Sequence, residues 1–427
     1  MSFIFNHEHP RGLYLLFFVE MWERFSYYGM RALLVLYMVQ SLMYNSQKAG
    51  TIYGIYTGLV YLTPLLGGYL ADRYLGQRKC ITAGALFMTA GLFMLAFGAK
   101  SMFIVALFLM ITANGFFKSN ISSVLGLLYS DDDNKKDSAF TIFYMGINIG
   151  AFFSPLICGT LAVKYGFEYG FAAAGIGMII GFVLYKSYEN KLLGDKGLVP
   201  TYKDVVNNNC AEDDLSDESK GRFNALIILM LFTIPFWICF EQAGSSLTLL
   251  AEYNINRTIG SYNIPTGYFQ SLNPLFIITL APLISLLWDK LRYKNQEPTS
   301  VGKFAIALFL ISVSYLILIF AGILSEGEQI SPLWLVLTYF VMTIAELCLS
   351  PIGLSLVSKL APKKFLSLTM GCWFLTCFIG DTIAGFWGGM YEDLSFVQLF
   401  TPLAILPFIA FIVLIFLMPK LNKLFKY

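Results

Sequence analysis

Twelve apolar runs of membrane-spanning length dominate this sequence of 427 residues, and they leave few folds open. Crossing the hydrocarbon core takes about 20 predominantly apolar residues in a helix. The runs lie near 13–43, 49–71, 79–98, 101–128, 138–163, 167–187, 222–250, 266–290, 302–324, 331–358, 364–390 and 395–419. Only 13% of the residues are charged, against about 25% in ordinary soluble domains. The expectation is an all-α membrane protein with twelve transmembrane helices. The first run carries charges and no small-residue cleavage site, so it reads as a retained span and not a signal peptide. Pro64, Gly67, Gly68, Pro155, Pro235, Pro274, Pro282 and Pro351 fall inside runs, where they suit bends and close helix approach.

The polar stretch 188–221 divides the runs six and six. The expected organisation is a bundle over 1–187, a cytoplasmic linker over 188–221 and a second bundle over 222–427, as in the major facilitator fold. With the N-terminus placed inside, 22 of the 29 Lys and Arg residues fall on the cytoplasmic side and four (Lys48, Lys100, Lys164, Arg257) on the other. The positive-inside rule then puts both termini in the cytoplasm.

Eight ionisable residues interrupt the spans: Glu20, Glu23, Arg24, Arg31, Lys118, Glu241, Glu346 and Asp381. A charge at the bilayer centre costs about 2.5–3.5 kcal/mol on insertion scales. Eight isolated charges would together exceed the stability of a typical domain, about 5–15 kcal/mol, so pairing, hydration or neutralisation is required. At 100° per residue, Glu20, Glu23, Arg24, Tyr27, Tyr28 and Arg31 share one face of the first helix, as one wall of a polar pathway. Five acids face three bases, so protonating one or two carboxylates would balance the charge. The two histidines, His7 and His9, lie outside the spans, which leaves carboxylates to carry any intramembrane proton. Asp381 reads equally as a solvated or capping carboxylate and as a functional group.

The remaining chemistry is sparse. Net charge is +2, which gives no bulk attraction to nucleic acid. The seven cysteines form no C-x-x-C pair or metal spacing and read as small hydrophobes. Gly67-Gly68 and Gly388-Gly389 lack the context of a phosphate loop. No nucleophile–His–acid set can form in the spans, so neither catalysis nor a metal or cofactor is expected. Nothing resembles the pore loops or charged rings of a channel.

The chain is identified as a member of the proton-coupled oligopeptide transporter family, a branch of the major facilitator superfamily, from motifs along nearly its whole length. They are Glu20-x-x-Glu23-Arg24-Phe-x-Tyr27-Tyr28-Gly, Tyr61-Leu-Thr-Pro-Leu-Leu-Gly-Gly-Tyr-Leu-Ala-Asp-Arg, Asn114-Gly-Phe-Phe-Lys118-Ser-Asn and Phe143-Tyr-Met-Gly-Ile-Asn148. The second half adds Phe240-Glu241-Gln242-Ala-Gly-Ser-Ser, Phe269-Gln-Ser-Leu-Asn273-Pro and Glu346-Leu-Cys-Leu-Ser350-Pro.

The resemblance implies proton-coupled import of di- and tripeptides by alternating access, driven by the proton gradient without a cofactor. Arg31 and Lys118 would bind the peptide carboxylate, with Tyr27, Tyr28 and Tyr61 lining the pocket. Glu346, with Asn148 and Asn273, would hold the amino terminus, and Ser350 and Trp373 would lie nearby. Glu20, Glu23 and Arg24 would couple protons, with Glu241 a partner for Arg31. A monomer in a plasma membrane, such as the bacterial cytoplasmic membrane, is expected. Three features depart from relatives. The 188–221 stretch is too short and polar for the two extra helices that bacterial members often insert. The second-helix histidine of mammalian members aligns with Gly54 here, and the seventh-helix histidine of nitrate carriers is missing, which argues against nitrate. Asp381 replaces an expected asparagine. Another substrate (an amino acid, a modified peptide or a metabolite) is the alternative, and a non-transporting peptide sensor is a more distant one.

Overall fold

The computed structural model describes residues 9–97, 100–130, 135–200, 217–360 and 366–425. Cys210, Lys363 and Lys364, and most of the expected linker, lie outside these residues. Twelve long helical runs follow one another. The first six are α1 (Arg11–Gln40), α2 (Ser46–Leu70), α3 (Gln77–Ala96), α4 (Phe103–Leu127), α5 (Lys136–Tyr165) and α6 (Phe167–Leu193). The next is α7, in three pieces (Asp217–Leu231, Thr233–Phe240, Ser246–Tyr253). Then come α8 (Leu272–Tyr293), α9 (Ser300–Leu324), α10 (Pro332–Leu360), α11 (Leu366–Gly388) and α12 (Phe396–Phe425). The described strands, Thr258–Ile259 and Tyr262–Asn263, form a small hairpin between α7 and α8.

Ten of the runs are apolar enough to cross a membrane by length and hydropathy. The other two are α1 and α2. Every 18-residue window of α1 holds at least three of Arg11, Glu20, Glu23, Arg24 and Arg31, and α2 is diluted by Gly, Tyr and Thr. The chain is a multi-pass membrane protein of twelve helices. Two boundaries move from the sequence reading. The sixth helix continues to Leu193, past 187, where Glu189 is tied to α3. The seventh begins at Asp217, before 222.

The chain forms two compact units. One holds the residues up to Tyr37 together with Leu59 through α6 and the segment after it. The other holds Met38–Gly58 and everything from α7 onward.

Helices approach closely in the first unit at several glycines. A Cβ on Gly67 of α2 would fall on the Gly115 carbonyl of α4, and one on Gly150 of α5 would fall on the Met21 carbonyl of α1. Short polar side chains tie the same seams: Thr63 Oγ1 donates to Ile111 O at 3.0 Å, and Ser26 Oγ donates to Ala174 O at 2.8 Å. Such small-residue contacts are how helices associate where lipid is as apolar as leucine.

In the second unit the first half of α2 lies on α11 along a ladder of glycines. Gly50 meets Gly385 and Gly389, Gly54 meets Thr382 and Gly385, and Gly58 meets Thr382 and Phe378. The Ser46 hydroxyl closes the end of this seam on Gly389 O at 3.0 Å.

Helix α7 breaks at a 3-10 turn, Glu241–Gly244, and Ser245 leaves helical geometry at φ −122° and ψ −97°. Gln242 bridges the break. Its amide donates to Ile238 O at 3.1 Å and to Ala384 O of α11 at 3.0 Å, while its oxygen accepts from Ser245 at 3.3 Å and Ser246 at 2.5 Å.

Candidate functional site

Helix α1 carries the first cluster. Because 3.6 residues make a turn, Glu20, Glu23 and Arg24 stack within reach of one another. The Arg24 guanidinium grips Glu23 with two donors, Nε on Oε2 and Nη2 on Oε1, the latter at 2.8 Å. It also reaches Glu20 Oε1 at 3.1 Å. All three are sealed from solvent, at 2%, 0% and 3% exposure. Glu20 Oε2 is buried and meets no hydrogen-bond partner among the described residues. Lys118 of α4 acts electrostatically on both carboxylates.

Aromatic rings lie against the three span cations of this unit. Arg24 lies 5.3 Å from the Tyr27 ring centre, and Arg31 lies 5.8 Å from that of Tyr28. The two tyrosine rings meet edge to face at 5.1 Å. The Lys118 ammonium sits 4.2 Å over the ring of Tyr61 on α2. A ring face attracts a cation, more strongly once water is excluded, so the rings add to the other interactions that hold these cations. Asn148 of α5 is buried and donates to Tyr144 O, one turn back, at 2.9 Å.

In the second unit Asn273 of α8 reaches across to α10. Its amide donates to Glu346 Oε2 at 2.8 Å and approaches Thr343 Oγ1 at 3.2 Å. Glu241, in the α7 break, is buried and acts electrostatically on Glu346. One turn past Glu346, the Ser350 hydroxyl is buried with no hydrogen-bond partner among the described residues. The Trp373 ring of α11 lies against Gly353, where any Cβ would overlap it. Glu346, Ser350 and Gly353 therefore face α8 and α11 from a single stripe of α10.

The eight span charges sort into two sets. Glu20, Glu23, Arg24, Glu241 and Asp381 are all 3% exposed or less. Arg31, Lys118 and Glu346 are half-buried and reach solvent. Asp381 at 1% exposure removes the solvated reading of it: the residue is buried within α11, with its backbone oxygen facing Gly54 of α2. Sequence reasoning gave no role to Thr343 or Gln242. Thr343 was findable, since it lies three residues before Glu346 and so on the same helix face. Gln242 carried no signal until the helix break was seen. None of the six described cysteines is in a disulfide and most are buried, and no cluster of His, Cys, Asp or Glu among the described residues could hold a metal ion.

A family model described as the POT family matches residues 78–193 and 186–402. The chain is similar to a Bacillus subtilis protein named as an uncharacterized transporter, at 33% identity over 98% of this chain and 95% of that one. It is also similar to a di-/tripeptide transporter of Lactococcus lactis, at 34% identity over 97% and 96%. Among solved structures, a peptide transporter of the same family in complex with sulfate superposes with a TM-score of 0.90, at 33% identity over 98% and 96% of the two chains.

Proposed function

The chain belongs to the POT family of membrane transporters, and from that premise we propose that it is a proton-driven importer of di- and tripeptides. The observation that carries the reading is the sorting of the span charges. Two cations and one anion, Arg31, Lys118 and Glu346, reach solvent, while the rest are buried. That set complements a zwitterion with one carboxylate and one ammonium. The name of the Lactococcus lactis relative, a di-/tripeptide transporter, supports the same substrate class.

Arg31 and Lys118 bind the peptide carboxylate, beside Tyr27, Tyr28 and Tyr61. Glu346, with Asn148 and Asn273, binds the amino terminus, and Ser350 and Trp373 also take part in substrate binding. Fixing both ends and leaving apolar walls between them tolerates many side chains. Glu20, Glu23, Arg24 and Glu241 couple protons. Arg24 is shared by two carboxylates, so one proton added to this buried group leaves a balanced pair. In the cycle, protonation releases Arg31 or Lys118 from a carboxylate partner and frees it for substrate. The two halves form six-helix bundles with both termini cytoplasmic, as the distribution of Lys and Arg supports, and one chain suffices for transport.

Uptake of labelled dialanine into proteoliposomes under an inward proton gradient tests the reading. Gradient-dependent uptake that unlabelled peptides compete away is expected, and its absence would overturn the assignment. Glu20→Gln and Glu23→Gln should each abolish uphill accumulation but keep some counterflow exchange. Unchanged accumulation would remove those residues from proton coupling.

A further inference from the structure

A second charged cluster lies outside the transport machinery, where the start of α3 meets the end of α6. A cavity of about 330 Å³ opens there, with Arg78, Lys79 and Leu86 on one wall and Lys186 and Glu189 on the other. Arg78 is buried and spent on the protein: it donates to Glu189 Oε2 at 3.3 Å, to Gly194 O at 2.7 Å and to Asn190. Glu189 also takes Lys186, so one carboxylate serves two cations. Lys79 is exposed and has no protein partner among the described residues. Three cations against one anion leave the rim at +2.

The same cavity is apolar further in. Leu86 is 50% exposed, and it stands seven residues from Lys79 on α3, roughly 10 Å deeper along the helix. A cationic rim joined to an apolar wall along the membrane normal has the shape of a lipid: phosphate at one end, acyl chain at the other. A free phosphate would leave the wall bare, and a neutral or zwitterionic headgroup would leave the +2 uncompensated. Basic pockets between spanning helices on the cytoplasmic side are a recognised way of holding anionic headgroups.

We infer that this α3–α6 cavity binds the headgroup of an anionic glycerophospholipid through Lys79 and Lys186, with an acyl chain along Leu86. The chain that leaves α6 borders the site: the Arg78 backbone amide donates to Gly197 O at 3.0 Å, and Leu198 lines the cavity.

Native mass spectrometry of the full chain, released from mixed micelles of phosphatidylcholine and phosphatidylglycerol, tests this. Wild type should retain one phosphatidylglycerol in preference to phosphatidylcholine, and millimolar inorganic phosphate should not displace it. Lys79→Ala with Lys186→Ala should weaken retention roughly 30-fold, taking each surface cation at about fivefold, while the double arginine variant should keep it. Equal retention of both lipids by wild type would overturn the proposal without any variant. Displacement by inorganic phosphate would overturn it in favour of a soluble anion, and undiminished retention by the double alanine variant would do so by removing the lysines.

Discussion

Glu20 and Glu23 share Arg24 unequally, and the inequality predicts that their amide variants differ in stability. Glu23 makes two charge-assisted contacts and Glu20 makes one at 3.1 Å. In Glu23→Gln one oxygen becomes an amide donor facing the guanidinium. A hydrogen bond to a charged group is worth about 1.5–3 kcal/mol, and breaking a buried ion pair costs about 3–5 kcal/mol. Glu20 remains as a counter-charge, so the loss is placed at about 3 kcal/mol, the low end of that range. In Glu20→Gln the amide oxygen can keep the 3.1 Å contact, and the new amide nitrogen replaces Oε2, which meets no described partner. That loss is about 1 kcal/mol. Reversible unfolding in dodecyl maltoside titrated with dodecyl sulfate, followed by circular dichroism, measures both. The expected gap is about 2 kcal/mol, with Glu23→Gln the weaker. Glu20→Gln equal to or weaker than Glu23→Gln would refute the shared-arginine account.

Three further outcomes follow from the geometry. Asn273→Ala removes the donor to Glu346 and should weaken binding of free-ended dipeptides about tenfold, with N-acetylated dipeptides little changed in the same competition assay; equal losses would argue against recognition of the amino end. Gly67→Ala should cost about 1–3 kcal/mol by wedging α2 from α4, whereas Gly126→Ala, which meets open space on α4, should cost nothing in the same titration. Glu297, between α8 and α9, is held down to about 2 by its hydrogen bonds to Arg292, with Lys303 a second partner. Its folded value lies below the unfolded one of about 4.3, so its contribution is complete above that pH and fades as pH falls toward 2. The Arg292 side chain is 65% exposed, which limits the effect to about 1 kcal/mol or less. Glu297→Gln should therefore lower stability at pH 6 and converge on wild type near pH 2; a constant gap across that range would count against the pairing.

Much of this molecule was legible before any coordinates, because lipid is an unforgiving solvent. Spans betray themselves by length, and a charge inside one must have a reason. Helix α1 shows the limit of hydropathy: its charges lower its score below that of an ordinary span, and the apolar residues around them are what mark it as one. What pattern could not give was tertiary. The break in α7 follows Pro235 by six residues, and there Gln242 meets Ala384 O on another helix. The turn after α2, a π-helical Ala71–Leu75, sets Asp72 on Gln77 at 2.8 Å and Arg73 on the Tyr69 hydroxyl at 2.7 Å, so neighbours in sequence part ways in space. Asp381 was ambiguous for the same reason: only its packing shows which side of the helix is dry.

The glycine ladder between α2 and α11 has a mechanical consequence. A joint lined with leucines is compliant, since long side chains can turn and follow a departing neighbour. Here, at Gly50 and Gly54, backbone rests on backbone, and little can follow. Dispersion falls so steeply that a gap of 0.5–1 Å already forfeits about a quarter to a half of the attraction. The ladder is a brittle joint: it holds fully or lets go along its whole length, and a partly parted state has little to keep it.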